Sequence, residues 1–272
     1  MILFILFNLI VNSMTNKLSL INTLKDFILS NKSIGKFYST QFPNSKYSLE
    51  NILIEILYIL KTGISWRDLR SNIKWQTVYF HFKRFTKHNI FKKLYFKLRK
   101  VYINTIDTSI LSIDSTFIPN KFGKNKIKRN KFYKNKKCNK ISIITDSVGI
   151  PISIIMDKGT IHDSQFFDRH MKDIFIIQNN KCKYFLGDKA YISNKIRVFL
   201  DSFECKLITP QKSNSTNKHF FDKKIYKKRI FVEHAFQKFK SNKRIDSRYD
   251  SLFSTYYSFV YLGACKILKN KM

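Results

Sequence analysis

Near Leu111 the apolar residues change their period, and that change sets what the chain can fold into. Before it, the spacing is helical. Residues 47–62 carry Leu49, Ile52, Leu53, Ile56, Ile59 and Leu60 on one face, with Ser48 placed to cap and Gly63 to stop the helix. A short helix is expected over Ile64–Leu69. A third covers Trp75–Lys87, with Val78, Phe82 and Phe85 inward and His81, Lys83, Arg84, Lys87 and His88 outward. After Leu111, alternation takes over. Ile110–Phe117 reads as a strand with Ser112, Asp114 and Thr116 on one face and Leu111 and Ile113 on the other. Ile141–Asp146 and Ile150–Asp157 read as an antiparallel pair turned at Ser147-Val148-Gly149. Helices are expected over His162–Asp173, Ser193–Asp201, Tyr226–Lys240 and Tyr256–Leu268, and strands over Tyr184–Asp188 and Lys206–Thr209. Strands alternating with helices predict an α/β fold with a mixed sheet. A small all-α domain of helix-turn-helix-like layout precedes it. A plain helical bundle with a solvated basic face fits that first part as well. The expected divisions are 1–44 as extension and linker, 45–105 as the helical domain and 106–272 as the α/β domain.

The stretch Tyr226–Lys240, YKKRIFVEHAFQKFK, carries the most chemistry. As a helix, it lines up Tyr226, Arg229, Glu233, Gln237 and Lys240 on one stripe, with Val232, Phe236 and Phe239 on an apolar one. A carboxylate held between cations suits a metal ion next to a phosphodiester, since the acid holds the cation and the bases hold the phosphate. A surface helix with ordinary i,i+4 pairs is the plainer reading. Two more acids are candidates. Asp114 sits on the first strand, and Asp188 ends a strand in Gly187-Asp188-Lys189-Ala190-Tyr191.

Charge narrows the partner. The chain has 272 residues with 51 Lys and Arg against 18 Asp and Glu, a formal net charge of +33. Such an excess points to a polyanion, most simply nucleic acid. Part of it sits in a run without acids between Asp114 and Asp146: Lys121, Lys124, Lys126, Lys128, Arg129, Lys131, Lys134, Lys136, Lys137 and Lys140, interleaved with Phe122, Phe132 and Tyr133. Bases bind phosphates and aromatic rings stack on unpaired bases. The run reads as a flexible basic loop that orders on DNA. Four scattered cysteines form no C-x-x-C pair, which argues against structural zinc and for reduced thiols inside a cell. The opening MILFILFNLIV is too short to span a bilayer and lacks a basic leader, so it is expected to be an extension or a short packed segment.

Tyr226, Arg229, Glu233 and Lys240 match the spacing Tyr-x2-Arg-x3-Glu-x6-Lys, which resembles the signature around the third acid of the DDE transposases of the IS4/IS5 superfamily, most like the IS5 family. Asp114 in IDST matches the first acid and Asp188 in GDKAY the second. Gly159-x-x-His162-Asp163-Ser164 and Arg248-Tyr249-Asp250 resemble further motifs. Tyr58–Leu69 followed by Trp75–Tyr79 is similar to the domain that precedes the catalytic one. The resemblance covers roughly residues 45–268. Arg70 stands where Pro is usual, His234 where Arg is common, and glycines are missing around Lys136-Lys137-Cys138.

The resemblance implies a ribonuclease-H-like catalytic domain that cleaves DNA at transposon ends and transfers strands into target DNA. It implies that Asp114, Asp188 and Glu233 hold two Mg²⁺ or Mn²⁺ ions. Arg229, Lys240 and Tyr226 would grip DNA, helped by Lys128, Arg129, Lys131, Lys136 and Lys137 of the basic run and by Arg84 and Lys87 of the third helix. Double-stranded DNA, a homodimer on it and an intracellular, DNA-associated location follow, with no membrane. A catalytically inactive, transposase-derived DNA-binding protein is the alternative.

Overall fold

The computed structural model describes residues 2–42, 45–103, 107–174, 181–211 and 220–270. Two of the expected domain boundaries, 44/45 and 105/106, fall outside them. The chain forms two compact units. One comprises Met1–Lys100, Asn242–Ile245 and Ser254–Met272, the other Val101–Ser241 and Asp246–Phe253.

The helical unit starts with α1 (Ile2–Leu29) and α2 (Leu49–Thr62). The expected punctuation of α2 is present: Ser48 Oγ accepts from Asn51 N at 3.2 Å, and Gly63 turns the chain left-handed at φ 71°. The short helix expected next is a single 3₁₀ turn, Trp66–Asp68. α3 (Trp75–Lys87) buries Val78, Phe82 and Phe85 completely. α4 (Ile90–Ile103) follows. The last helix, α10 (Phe253–Lys269), contributes Phe259, which stacks on Phe82 at 4.3 Å between ring centroids. It groups with the N-terminal helices, although the 106–272 division had assigned it to the α/β part.

His81 was expected to face solvent and instead lies inside, 4% exposed. It falls between Val78 and Phe85 on a wide buried face. A π-helical turn at Phe37–Gln41 brings Tyr38, whose hydroxyl lies 2.7 Å from His81 Nδ1.

The α/β unit is built on a six-stranded mixed sheet. Its strands are β1 (Ile110–Pro119), β2 (Lys128–Asn130), β3 (Lys136–Thr145), β4 (Pro151–Lys158), β5 (Tyr184–Leu186) and β6 (Lys206–Ile208). β3 pairs antiparallel with β1, β2 and β4, while β5 and β6 add in parallel beyond β1. The β3–β4 hairpin turns at Gly149, φ 82°, where a Cβ would press on the Phe231 carbonyl oxygen at 2.6 Å. One face of the sheet packs Leu111, Ile113, Ile144 and Phe185 against Phe167 and Met171 of α5 (Asp163–Met171) and Ile196 and Leu200 of α6 (Asn194–Asp201). The other face packs Ile110, Leu186 and Ile208 against Ile225 and Tyr226. The thiols of Cys182 and Cys205, 23 residues apart in sequence, approach to 3.1 Å in this unit.

The basic run is not one loop: its second half supplies β2 and the start of β3 to the sheet. β2 pairs with the start of β3 in the register Lys128↔Cys138, Arg129↔Lys137 and Asn130↔Lys136. Lys140 is buried: its ammonium reaches Asp163 at 3.1 Å and the Ile161 carbonyl.

His170 is fully buried in α5. Its Nδ1 lies 2.8 Å from Ser153 Oγ and its Nε2 2.9 Å from Ser142 Oγ. Ser153 donates to Asp173 at 2.9 Å, so it accepts from His170 Nδ1–H. The ring is held neutral, and burial lowers its pKa from 6.5 to about 3. Burial also lowers His81, to about 4. In both, the folded value lies below the unfolded one. The stability they confer is therefore present above about pH 6.5 and lost as pH falls, at about 1.4 kcal/mol per pH unit for a group like His170. The denaturation midpoint is expected to drop clearly between pH 7.5 and pH 4.5. Equal midpoints at the two pH values would contradict the neutral, buried rings.

Candidate active site

Asp114 and Asp188 owe their positions to sheet register. β1 and β5 run parallel, and their last pair is Ser112 with Leu186. Each acid lies two residues further on: Asp114 is still within β1, whereas Asp188 comes just after the end of β5. The carboxyl ends of parallel strands are where open α/β sheets form their crevices. Beyond Leu186 the chain turns away at Gly187. Asp188 then caps a 3₁₀ turn, Lys189–Tyr191, accepting from Ala190 N at 2.9 Å.

The third acid arrives on a broken helix. The expected single helix is three pieces: α7 (Lys223–Tyr226), a 3₁₀ turn (Lys227–Arg229) and α8 (Ile230–Lys240). Asp222 caps the first piece through Lys224 N and Ile225 N. The 3₁₀ turn interrupts the 3.6-residue period, yet the functional stripe survives, because Val232, Ala235, Phe236 and Phe239 all pack inward.

Arg229 joins the pieces. Its Nη1 donates to Asp114 Oδ2 at 2.9 Å and its Nη2 donates to Glu233 Oε1. One guanidinium thus bridges an acid of β1 and an acid of α8 that are 119 residues apart. Lys240 Nζ donates to Thr116 Oγ1 at 2.8 Å, one step along β1 from Asp114 on the same face. Tyr226 is half-buried against Ile110, Leu186 and Ile208, and its ring lies beside the Arg229 guanidinium, at 6.0 Å. Burial raises the pKa of Asp114, and Asp188 adds to that rise. The Arg229 charge and the Ser115 backbone N–H oppose it. Arg229 is itself desolvated, but the carboxylate beside it raises its pKa overall.

Asp114, Glu233, Arg229 and Lys240 therefore meet over the middle of β1. Asp188 acts on Asp114 electrostatically, while its carboxylate serves its own turn. Among the described residues, no group of three or more His, Cys, Asp or Glu side chains converges as a metal cluster. Arg229 is instead the counter-cation of two of the acids, Asp114 and Glu233. The donor set is carboxylate oxygen only, which suits a hard divalent ion.

Three supports were not legible as such in the sequence. Asp163 accepts from the Ser115 hydroxyl and pairs with Lys140, tying α5 beneath the residue next to Asp114. His162 caps α5 through Ser164 N. Arg248 is wholly buried and organises the segment after β1. Its Nε donates to Asp250 O, its Nη1 to Asn125 O and Asn139 Oδ1, and its Nη2 to Asn125 Oδ1 and Ser251 O, all within 2.8–3.1 Å.

The chain belongs to the transposase DDE domain family, whose model matches residues 105–254. A second family model, for a transposase of the IS4/5 family, matches residues 38–95, so the protein is a DDE transposase of the IS4/IS5 type, an enzyme of DNA transposition. Members of the DDE family work with divalent metal ions. Among solved structures, a piggyBac transposase synaptic complex with hairpin DNA superposes with a TM-score of 0.53 at 9% identity, over 90% of this chain and 73% of that one. At that identity the likeness is one of fold, the ribonuclease-H-like one. The catalytic domain of Mos1 mariner transposase is 12% identical, with a TM-score of 0.28, over 57% of this chain and 89% of that one. Among curated proteins, none matches the chain.

Proposed function

We propose that Asp114, Asp188 and Glu233 are the acids of this transposase and would hold two Mg²⁺ or Mn²⁺ ions. The observation that supports this is the Arg229 bridge between Asp114 and Glu233, with Asp188, just past the end of the neighbouring parallel strand, acting electrostatically on Asp114. Bound metal would supply an activated nucleophile and charge neutralisation at the leaving oxygen of a phosphodiester. The chain's own residues do the rest. Asp114 is largely withdrawn from solvent, its side chain 20% exposed. Arg229, between Asp114 and Glu233, and Lys240, beside Thr116, would donate hydrogen bonds to a phosphate, and Tyr226 forms a wall at the β5 side.

DNA lies along the exposed cations of the β2–β3 hairpin. Lys128, Arg129, Lys131, Lys136 and Lys137 are all exposed, and Arg129 and Lys137 are direct cross-strand partners. Like charges set opposite each other destabilise a sheet, a cost that a phosphate between them removes. Phe132, 93% exposed on the same hairpin, offers a ring to an unpaired base. The helical unit, with Arg84 and Lys87, serves as a second DNA-binding part, and the unit carrying the acids is catalytic. Two transposon ends require two active sites, so the protein acts as a homodimer on DNA, inside the cell. The Tyr-Arg-Glu-Lys signature supports the IS5 family within that type.

The test is incubation of the protein with duplex DNA carrying the terminal repeats of its own element, with Mg²⁺, with Mn²⁺ or with chelator. Cuts at the ends and joined products that need metal are expected. DNA that is bound but never cut in either metal would favour the non-catalytic alternative.

A further inference from the structure

In the helical unit, the last turn of α3 opens on a cavity of about 690 Å³. Lys83, Arg84, Lys87 and His88 line it, with Thr86 and Phe80. Cations in the last turn of a helix interact favourably with its carbonyl end, which alone would account for Arg84 and Lys87. It does not account for two further observations.

The first is charge without compensation. Lys83, Arg84 and Lys87 make no ion pair among the described residues. Burial, then the neighbouring charges of Arg84, Lys87 and Lys93, hold the His88 pKa down, so the wall carries a concentrated positive potential. The second is buried hydrogen-bonding capacity without a partner. Thr86 is 7% exposed, and its hydroxyl has no hydrogen-bond partner. A helical threonine hydroxyl commonly turns back to the carbonyl four residues before it, and this one does not. The Arg84 Nε–H is likewise buried and unpartnered, while the guanidinium carbon lies over the Phe37 ring, 3.8 Å from its centroid. Buried donors without acceptors are a cost that a fold rarely keeps without use. Phe80 is exposed at the rim, where a sugar or base next to a bound phosphate would pack.

We propose that this cavity binds a phosphate ester, and that its occupant is a backbone phosphate of DNA. The choice of DNA rests on the transposase reading; the phosphate chemistry does not. A free nucleotide carries the same group, so the test separates the two sources.

The experiment uses the full chain and a short fluorescent duplex, with binding read by anisotropy from about 50 to 200 mM salt. Arg84→Gln with Lys87→Gln is expected to weaken binding about tenfold and to lower the salt slope by about 1–2. Thr86→Val is expected to weaken binding several-fold with the salt slope and melting temperature unchanged, which a purely structural role would not give. Lys87 is exposed, so Lys87→Gln decides the matter if a buried variant fails to fold. Variants that bind the duplex as the parent does would overturn the proposal. So would calorimetric binding of ATP that the variants lose while their DNA affinity stands. The duplex need not be cut. A catalytically silent protein therefore still reports on the cavity, and failure here leaves the acids of the α/β unit untouched.

Discussion

Asp114→Asn is expected to abolish metal-dependent DNA cleavage, by at least about a thousandfold, while the protein stays folded. A thousandfold loss corresponds to about 4 kcal/mol of transition-state stabilisation. That is within reach of one carboxylate that both holds a cation and sits where burial amplifies its charge. The asymmetry between activity and stability is the informative part. Burial disfavours the charged form of Asp114 and raises its pKa, so the charge is a cost to the fold that the Arg229 pair only partly offsets. Asparagine keeps the shape and the Ser115 N–H contact at Oδ1. It gives up the charge. The variant should melt at the parent's temperature or slightly higher, as expected where function holds a strained or charged group in place. Asp188→Asn and Glu233→Gln should lose cleavage similarly, with DNA binding largely retained. A variant at any of the three that cuts at the parent's rate would remove it from the catalytic set.

Arg248→Met is expected to be the most destabilising single change in the α/β unit. The guanidinium is wholly buried and donates to five acceptors, at Asn125, Asn139, Asp250 and Ser251. Methionine fills much of the stem volume but leaves those acceptors without their donor, at about 1–3 kcal/mol for each that water cannot reach. A total loss of at least about 4 kcal/mol is expected. No replacement donor fits easily, because the space beside the side chain is taken. A Cβ on Gly123 would lie 2.5 Å from Arg248 Nε. Arg248 also fixes Asn125, just before the β2–β3 hairpin, so DNA affinity should fall along with stability. A chemical denaturation midpoint within about 1 kcal/mol of the parent would show that the network is solvated rather than structural.

The sequence carried the periodic parts of this molecule well and the long-range parts poorly. The alternation of Ile110–Phe117 put Asp114 on the correct face, because a strand's period of two leaves only two choices. α3 and the Ser48 and Gly63 punctuation of α2 were legible for the same reason: each depends on neighbours within one turn. His81 was misjudged because its burial depends on Tyr38, 43 residues away, and on a π-helical turn with no sequence signal. The basic run looked like a loop because its lysines hide the alternation. Asn130, Cys138, Asn139 and Lys140 are what turn inward, and three of those are polar or charged. The signature around Glu233 pointed to the acids, but Arg229 as their shared partner spans 115 positions and is visible only in three dimensions. The Arg248 network was likewise out of reach. A buried guanidinium served largely by carbonyl and amide oxygens leaves no charge pattern to read.

The most direct test of the proposed metal site needs neither the transposon ends nor a cleavage assay. Fe²⁺ can stand in for Mg²⁺, and with ascorbate and peroxide it cuts the polypeptide next to where it binds. The account predicts cuts clustered around Asp114, Asp188 and Glu233, suppressed by excess Mg²⁺ and lost in Asp114→Asn. Cuts that fall elsewhere, or that persist unchanged in that variant and in excess Mg²⁺, would contradict it.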